Sequence, residues 1–293
     1  MNNQNWFSDR NNQIQINTIE IYKSLVDRIE RKIQNNEQTA NIVDWLVSET
    51  QRVFQKNYNR IPTQGALNNS IGRWNEFIAL TLFTKSVIDY NQKHPDSYVV
   101  VFKLPNTKIS RQNLTPSKFL QLFHKQEFEK QGKLAKLSPF KEKIFFPSPD
   151  FIIVNLDGQS HLLLGNNYKS ELTQLLQQQS REPNENKIFP FLQGKMLASH
   201  LKSAISLKTS NRPDRRYQPL FEAAMIKAMS SATHQQWRYY MVASEFTETD
   251  QILFEKAIAP HGIAIQKESK FVDNIYLNLN KNNFHGLIDD SMS

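Results

Sequence analysis

Apolar residues recur at helical spacing through the first part of the chain. Ile21, Leu25, Ile29 and Ile33 fall four apart, and Ile42, Leu46, Val53 and Phe54 continue the stripe in a second segment. One apolar face in a period of 3.6 residues marks an amphipathic helix, so residues 1 to about 60 are expected to form a helical N-terminal part. A turn-rich entry, "RIPTQGALNNSIGRWNEFIALTLF" (60–83), leads into a further helix with Trp74, Phe77, Ile78 and Leu82 on its apolar face. The pattern then shifts to short β-branched runs. "SYVVVFKLPN" (97–106), stopped by Pro105, predicts a strand.

Beyond it, "TPSKFLQLFHKQEFEKQGKLAKL" (115–137) predicts a helix capped by Thr115 with Pro116 in its first turn. "PDFIIVNLDGQSHLLLG" (149–165) predicts two strands joined by the turn "DGQ", a hairpin. "AISLKTS" (204–210) and "WRYYMVASEF" (237–246) read as strands, with "QPLFEAAMIKAM" (218–229) as a helix between them. "LLQQQSREPNENK" (175–187) is polar and turn-rich, a long loop rather than a domain joint. Helices bracketing a group of strands predict an α/β fold: a central mixed sheet flanked by helices on both faces. With no linker dividing the 293 residues, the expectation is one domain over 1–293.

Charge and composition narrow the partners. The net charge is +8, from 36 Lys+Arg against 28 Asp+Glu, and an excess of cations favours a polyanion such as nucleic acid. The absence of cysteine excludes disulfides, thiolate metal sites and cysteine nucleophiles. The polar start and the lack of any membrane-length apolar run predict a protein of the cytoplasm. The seven histidines show no close pair at metal-ligand spacing, and no phosphate-cradling Gly-Lys-Ser/Thr loop appears, so no nucleotide cofactor is expected.

Three residues stand out against this background. Asp150 opens the apolar run Phe151–Val154, a position from which a carboxylate can hold a metal, or simply a turn residue after Pro149. Lys208 and Ser206 point to one side of the next strand, either into a site or from the open face of an edge strand. Glu222 interrupts the helical stripe of Met225, Ile226 and Met229. A carboxylate there calls for a metal, a lysine, or a pairing with Arg215 or Arg216. Two carboxylates and an ammonium on neighbouring elements suit phosphodiester hydrolysis by Mg²⁺, a hard ion that takes few protein ligands and keeps waters.

Here the chain resembles a known family. Pro149-Asp150, the "SLK" of 206–208 and Glu222 resemble the PD-(D/E)xK nucleases, and more narrowly the CCGG-recognising branch of the type II restriction endonucleases. In that branch serine stands two before the lysine and a glutamate on the next helix takes over metal ligation, as Ser206 and Glu222 do. The resemblance implies a restriction-endonuclease-like fold, with Asp150, Lys208, Glu222, Glu76 and Ser206 catalytic and Asp150, Glu222 and Glu76 holding Mg²⁺. "RPDR" (212–215) matches the branch's reader. Arginine can grip guanine O6 and N7, and an aspartate can accept from cytosine N4. Arg212, Asp214 and Arg215 are therefore the expected base readers, with Asn69 reaching the minor groove. Taken without the preceding lysine, "RPDRR" is a surface turn with internal ion pairs.

The expected function is Mg²⁺-dependent cleavage of double-stranded DNA at a palindrome with a CCGG core. A palindrome cut on both strands calls for a homodimer, and the resemblance permits a tetramer. The competing readings are a structure-specific repair or recombination nuclease of the same fold and a non-enzymatic basic DNA-binding protein.

Overall fold

The helical stripe of the first third folds as expected into α1 (Thr18–Gln34), α2 (Thr39–Tyr58) and α3 (Gln64–Lys93). Ahead of them the chain forms a two-stranded antiparallel hairpin instead, β1 (Phe7–Arg10) with β2 (Gln13–Ile16). Trp6 anchors the hairpin: it is buried, and its indole N–H donates to Ser24 Oγ of α1 at 2.9 Å. The coordinates are a computed structural model, and they describe residues 5–10, 13–106, 117–145, 148–208, 217–243, 246–277 and 279–293.

The long helix α3 organises the N-terminal part. Its 30 residues span roughly 45 Å. The Trp74 indole donates to the Thr18 carbonyl at 3.1 Å, and the Tyr22 and Thr81 hydroxyls share a hydrogen bond of 2.7 Å, so α1 and α3 are tied at two levels.

Behind α3 lies a five-stranded sheet of β3 (Tyr98–Lys103), β4 (Phe151–Leu156), β5 (Leu201–Lys208), β6 (Arg238–Ala243) and β7 (Asn274–Leu277), in that order. The first two pairings are antiparallel and the last two parallel, so the sheet is mixed. The short helices α4 (His161–Leu164) and α6 (Ile188–Leu192) and the longer α5 (Tyr168–Arg181) connect β4 to β5. The crossover from β5 to β6 carries α7 (Tyr217–Ala232), while α8 (Glu248–Lys256) and α9 (Pro260–Ala264) precede β7 and α10 (Lys281–Met292) ends the chain.

Strand alternation decides which helices cover which face. Phe151 pairs with Lys103 and Ile205, so these three share a face. Phe151 packs against Phe83 of α3, which also meets Phe284 of α10. The amide of Gln179 on α5 donates to Thr84 Oγ1 and to the Val101 carbonyl, both at 3.0 Å, on that same side. Ala204, Ser206 and Lys208 point the other way, toward α7. The buried apolar side chains run as one continuous cluster from α1 through the sheet, and each fully buried Leu, Ile or Phe contributes roughly 1.5–3 kcal/mol.

Three local expectations are corrected. Residues 117–137 form short 3₁₀ turns in place of a helix, with Thr115 and Pro116 outside the described residues. Their backbone pairs elsewhere: the His124 N–H donates to the Met196 carbonyl at 2.8 Å, and a Cβ on Gly132 would stand 2.3 Å from the Gln126 and Glu127 carbonyl oxygens. No hairpin follows β4, because both its edges are taken by β3 and β5. Asp157 turns the chain instead, accepting from the Gln159 N–H at 3.0 Å and the Ser160 hydroxyl at 3.1 Å. The polar run from residue 175 is helical to Arg181, since Leu172, Leu176 and Gln179 are all buried.

Candidate active site

Antiparallel pairing of β4 with β5 sets Phe151 opposite Ile205, so Asp150, one residue before β4, arrives at the C-terminal end of β5. Two backbone amides hold it there. The Leu207 N–H donates to Asp150 Oδ2 at 2.7 Å, and the Leu104 N–H to the Asp150 carbonyl at 3.2 Å. Asp150 Oδ1 makes no hydrogen bond to a described residue. β5 is the central strand of five, which excludes the edge-strand reading of Ser206 and Lys208.

Glu222 descends onto the same strand end from α7. It is fully buried, at 0% exposure, and neutral donors surround it. Its Oε2 accepts from Ser206 Oγ at 3.1 Å and from the Tyr239 hydroxyl at 2.8 Å, and its Oε1 accepts from the Gln218 amide at 3.0 Å. Tyr239 can reach it because it pairs with Ala204 across the parallel β5–β6 ladder, on the face of Ser206.

The electrostatics bind these groups into one set. Burial raises the Asp150 carboxyl above its usual range; Lys208 and the Leu207 N–H pull it back, while Glu76 raises it and Lys103 lowers it. Burial and then the neighbouring Asp150 push the Glu222 carboxyl up to about 7, against Lys208 and the hydrogen bonds from Tyr239 and Gln218. Lys208 is thus the ammonium that both carboxyls feel.

Glu76 reaches this set from the other side of the sheet. It lies on α3 and forms a salt bridge with Lys103, both side chains about a third exposed. It acts on Asp150 through charge, and among the described residues no three acidic or histidine side chains stand together as a ready-made ion cluster. Asn69 is exposed on α3, two turns before Glu76. Arg212, Asp214 and Arg215, like Arg216, lie outside the described residues, between the end of β5 and the start of α7.

Three contributing residues escaped the sequence reading. Gln218 stands one helical turn before Glu222, a spacing visible in "QPLFE". Lys103 ends the apolar run "VVVFK" much as Lys208 ends "AISLK". Tyr239 carries no linear signal, since only the β5–β6 register brings it to Glu222. The oxygen donors fit a hard divalent cation: two desolvated carboxyls repel each other, and a doubly charged ion relieves that repulsion.

The five-stranded mixed sheet flanked by helices is a restriction-endonuclease type of architecture. A family model described as Cfr10I/Bse634I restriction endonuclease matches residues 1–293, and the chain belongs to that family. Its members are type II restriction endonucleases, site-specific deoxyribonucleases that are generally divalent-metal dependent. The type II restriction enzyme Cfr10I of Citrobacter freundii is 26% identical over 235 residues, covering 73% of this chain and 74% of that one. The crystal structure of the type IIF restriction endonuclease Bse634I with cognate DNA superposes with a TM-score of 0.70 at 20% identity, covering 100% of both chains. A second Bse634I structure gives a TM-score of 0.70 over 99% of this chain and 98% of that one, also at 20% identity. Among the described residues no helix is long and apolar enough to cross a membrane.

Proposed function

We propose that the chain, folded as one domain over 1–293 and acting in a prokaryotic cytoplasm, cuts double-stranded DNA at a palindrome with a CCGG core. One further specified pair on each side and a 5′ overhang complete the reading. The observation that carries it is the joint hold on Asp150, Ser206, Lys208 and Glu222 at the ends of β4 and β5, directly before the "RPDR" segment.

Asp150 and Glu222 would hold Mg²⁺, with Glu76 supporting it from the α3 side. A divalent ion held there would supply a lowered pKa for the attacking water and neutralisation of charge on the scissile phosphate. Lys208, sensed by both carboxyls, orients the attacking water and stabilises negative charge developing on phosphorus. Ser206, Tyr239 and Gln218 fix Glu222 so that its carboxylate needs no reorganisation when the substrate arrives. Arg212 and Arg215 donate to guanine, Asp214 accepts from cytosine N4, and Asn69 approaches the minor groove. Two copies related by a two-fold axis read and cut the two half-sites, and a tetramer engages two such sites.

Plasmid digestion in Mg²⁺ and in EDTA, followed by sequencing of the fragment ends, tests the reading. The expected result is discrete fragments in Mg²⁺ alone, with CCGG at every terminus. Heterogeneous nicking would mean a structure-specific nuclease instead. Fragments with another core would overturn the assignment of the reader.

A further inference from the structure

A second basic feature lies along α3, away from the strand ends. Asn69, Arg73 and Glu76 follow one another at four and then three residues, so they lie on one helical stripe. At the first two of these positions the stripe borders a cleft of about 890 Å³ between β2 and the start of α3, with Arg60 on its rim. Arg60, Asn69 and Arg73 are exposed, and neither arginine is paired with a carboxylate among the described residues. The described lining contains no acidic residue, while Gln15 and Thr63 add neutral donors. Two unneutralised guanidinium forks facing a polar cleft form an anion site, because the fork geometry matches phosphate oxygens.

Distance along the helix connects this cleft to the strand ends. At about 1.5 Å per residue, Arg73 precedes Glu76 by roughly 4.5 Å and Asn69 precedes it by roughly 10.5 Å. A DNA strand advances about 3.4 Å per nucleotide, so the stripe covers one to three base steps. We propose that this cleft is a DNA phosphate clamp, in which Arg73 grips the backbone one to three steps from the scissile bond, Arg60 adds a second fork to the same cleft, and the duplex is held beside Asn69. The clamp rests on the DNA-cleaving reading of the strand ends and adds to it a sequence-independent contact.

The test uses the full chain carrying Lys208→Ala, so that binding is measured without cutting, with Arg60→Gln and Arg73→Gln added singly and together. Affinity for a CCGG duplex and for a random duplex is followed by fluorescence anisotropy between about 50 and 200 mM salt. Each glutamine is expected to reduce the steepness of log K against log salt by about 0.9, equally on both duplexes. Arg73→Lys, which keeps the charge, should retain most of the slope. Sedimentation should show an unchanged oligomer.

Slopes equal to the parent's on both duplexes would overturn the clamp. Loss of the oligomer with slopes intact would assign the arginines to a subunit contact. A loss confined to the CCGG duplex would make them base readers, also against the proposal. Cleavage by the chain with Lys208 intact separates the two levels. Discrete plasmid fragments together with unchanged slopes would sink the clamp alone, whereas altered slopes without any cleavage would sink the nuclease reading and leave the clamp.

Discussion

Glu222 and Glu76 approach the same aspartate from opposite faces of the sheet and are held in opposite ways. Glu222 is fully buried and receives hydrogen bonds from three neutral groups, Ser206, Tyr239 and Gln218. Glu76 is partly exposed and is already neutralised by Lys103. Burial and then the facing Asp150 push the Glu222 carboxyl up to about 7, because its neutral donors orient the group but only partly offset those two effects. On the proposed reading the difference divides the labour: the buried glutamate would need a divalent ion to hold its charge, and the compensated one would tune the field around that ion. The family resemblance implies a metal-holding role for both, and their surroundings differ.

The sharpest break comes at Asp150, which both glutamates face, and at Lys208 beside it. Asp150→Asn and Lys208→Ala should each lower plasmid cleavage by about a thousandfold, the upper range for losing one group that stabilises transition-state charge. Circular dichroism should show an intact fold. Cutting within tenfold of the parent by either variant would remove the shared centre on which the comparison stands.

Next in size is the contrast itself. Glu222→Gln should abolish the response of cleavage to added Mg²⁺, whereas Glu76→Gln should leave a saturable response and a loss about ten- to a hundredfold smaller. The opposite ranking would transfer ion binding to the α3 face. Lys103→Met sharpens the point: freeing Glu76 from its partner should tighten ion binding measured calorimetrically on the DNA-free protein, since net negative charge beside Asp150 rises.

The pH dependence follows from the Glu222 shift. Its carboxyl titrates near 4.5 in the unfolded chain and near 7 in the fold, so between those values the native state binds the extra proton. Stability from this group is complete below pH 4.5 and is lost as pH rises through 7, on the order of 3 kcal/mol in total. In EDTA the wild type should therefore melt lower at pH 8 than at pH 6 by more than Glu222→Gln does. Divalent ions should raise the melting temperature mainly above pH 7, where they no longer compete with the proton. Parallel pH profiles for the two proteins would show that Glu222 is not the strained group.

Much of this was legible in the chain because its carriers are local. Ser206 and Lys208 share a face through strand alternation, and Glu222 contradicts its own apolar stripe. Helical spacing and short apolar or β-branched runs likewise announced α1 to α3 and the cores of β3 to β6. What escaped depends on partners distant in sequence. Residues 117–137 look helical by composition, yet their amides pair with residues near Met196 and Gly132 admits no side chain. "DGQ" resembles a hairpin turn, but β4 has no open edge for a returning strand. The β1–β2 hairpin is stabilised by Trp6 reaching α1, a contact no short window contains. Lys103 and Tyr239 reach the carboxyl set only by virtue of register.

Tyr239 carries the smallest expected effect and the most specific one. Its hydroxyl donates to Glu222 Oε2 at 2.8 Å from a strand position on the Ser206 face, and that bond favours the charged carboxylate. Tyr239→Phe keeps the ring and its packing and removes only the donor. A hydrogen bond to a charged group contributes about 1.5–3 kcal/mol, but Ser206 and Gln218 remain, so a tenfold loss of cleavage at limiting Mg²⁺ is expected. Excess Mg²⁺ should restore most of it, and the acidic limb of the pH profile should move upward, because Glu222 becomes harder to ionise. With Glu222→Gln already present, Tyr239→Phe should change neither the profile nor the ion response. A loss that excess Mg²⁺ leaves unaltered, or one that persists in the Glu222→Gln background, would place Tyr239 in the packing of β6 and outside the support of Glu222.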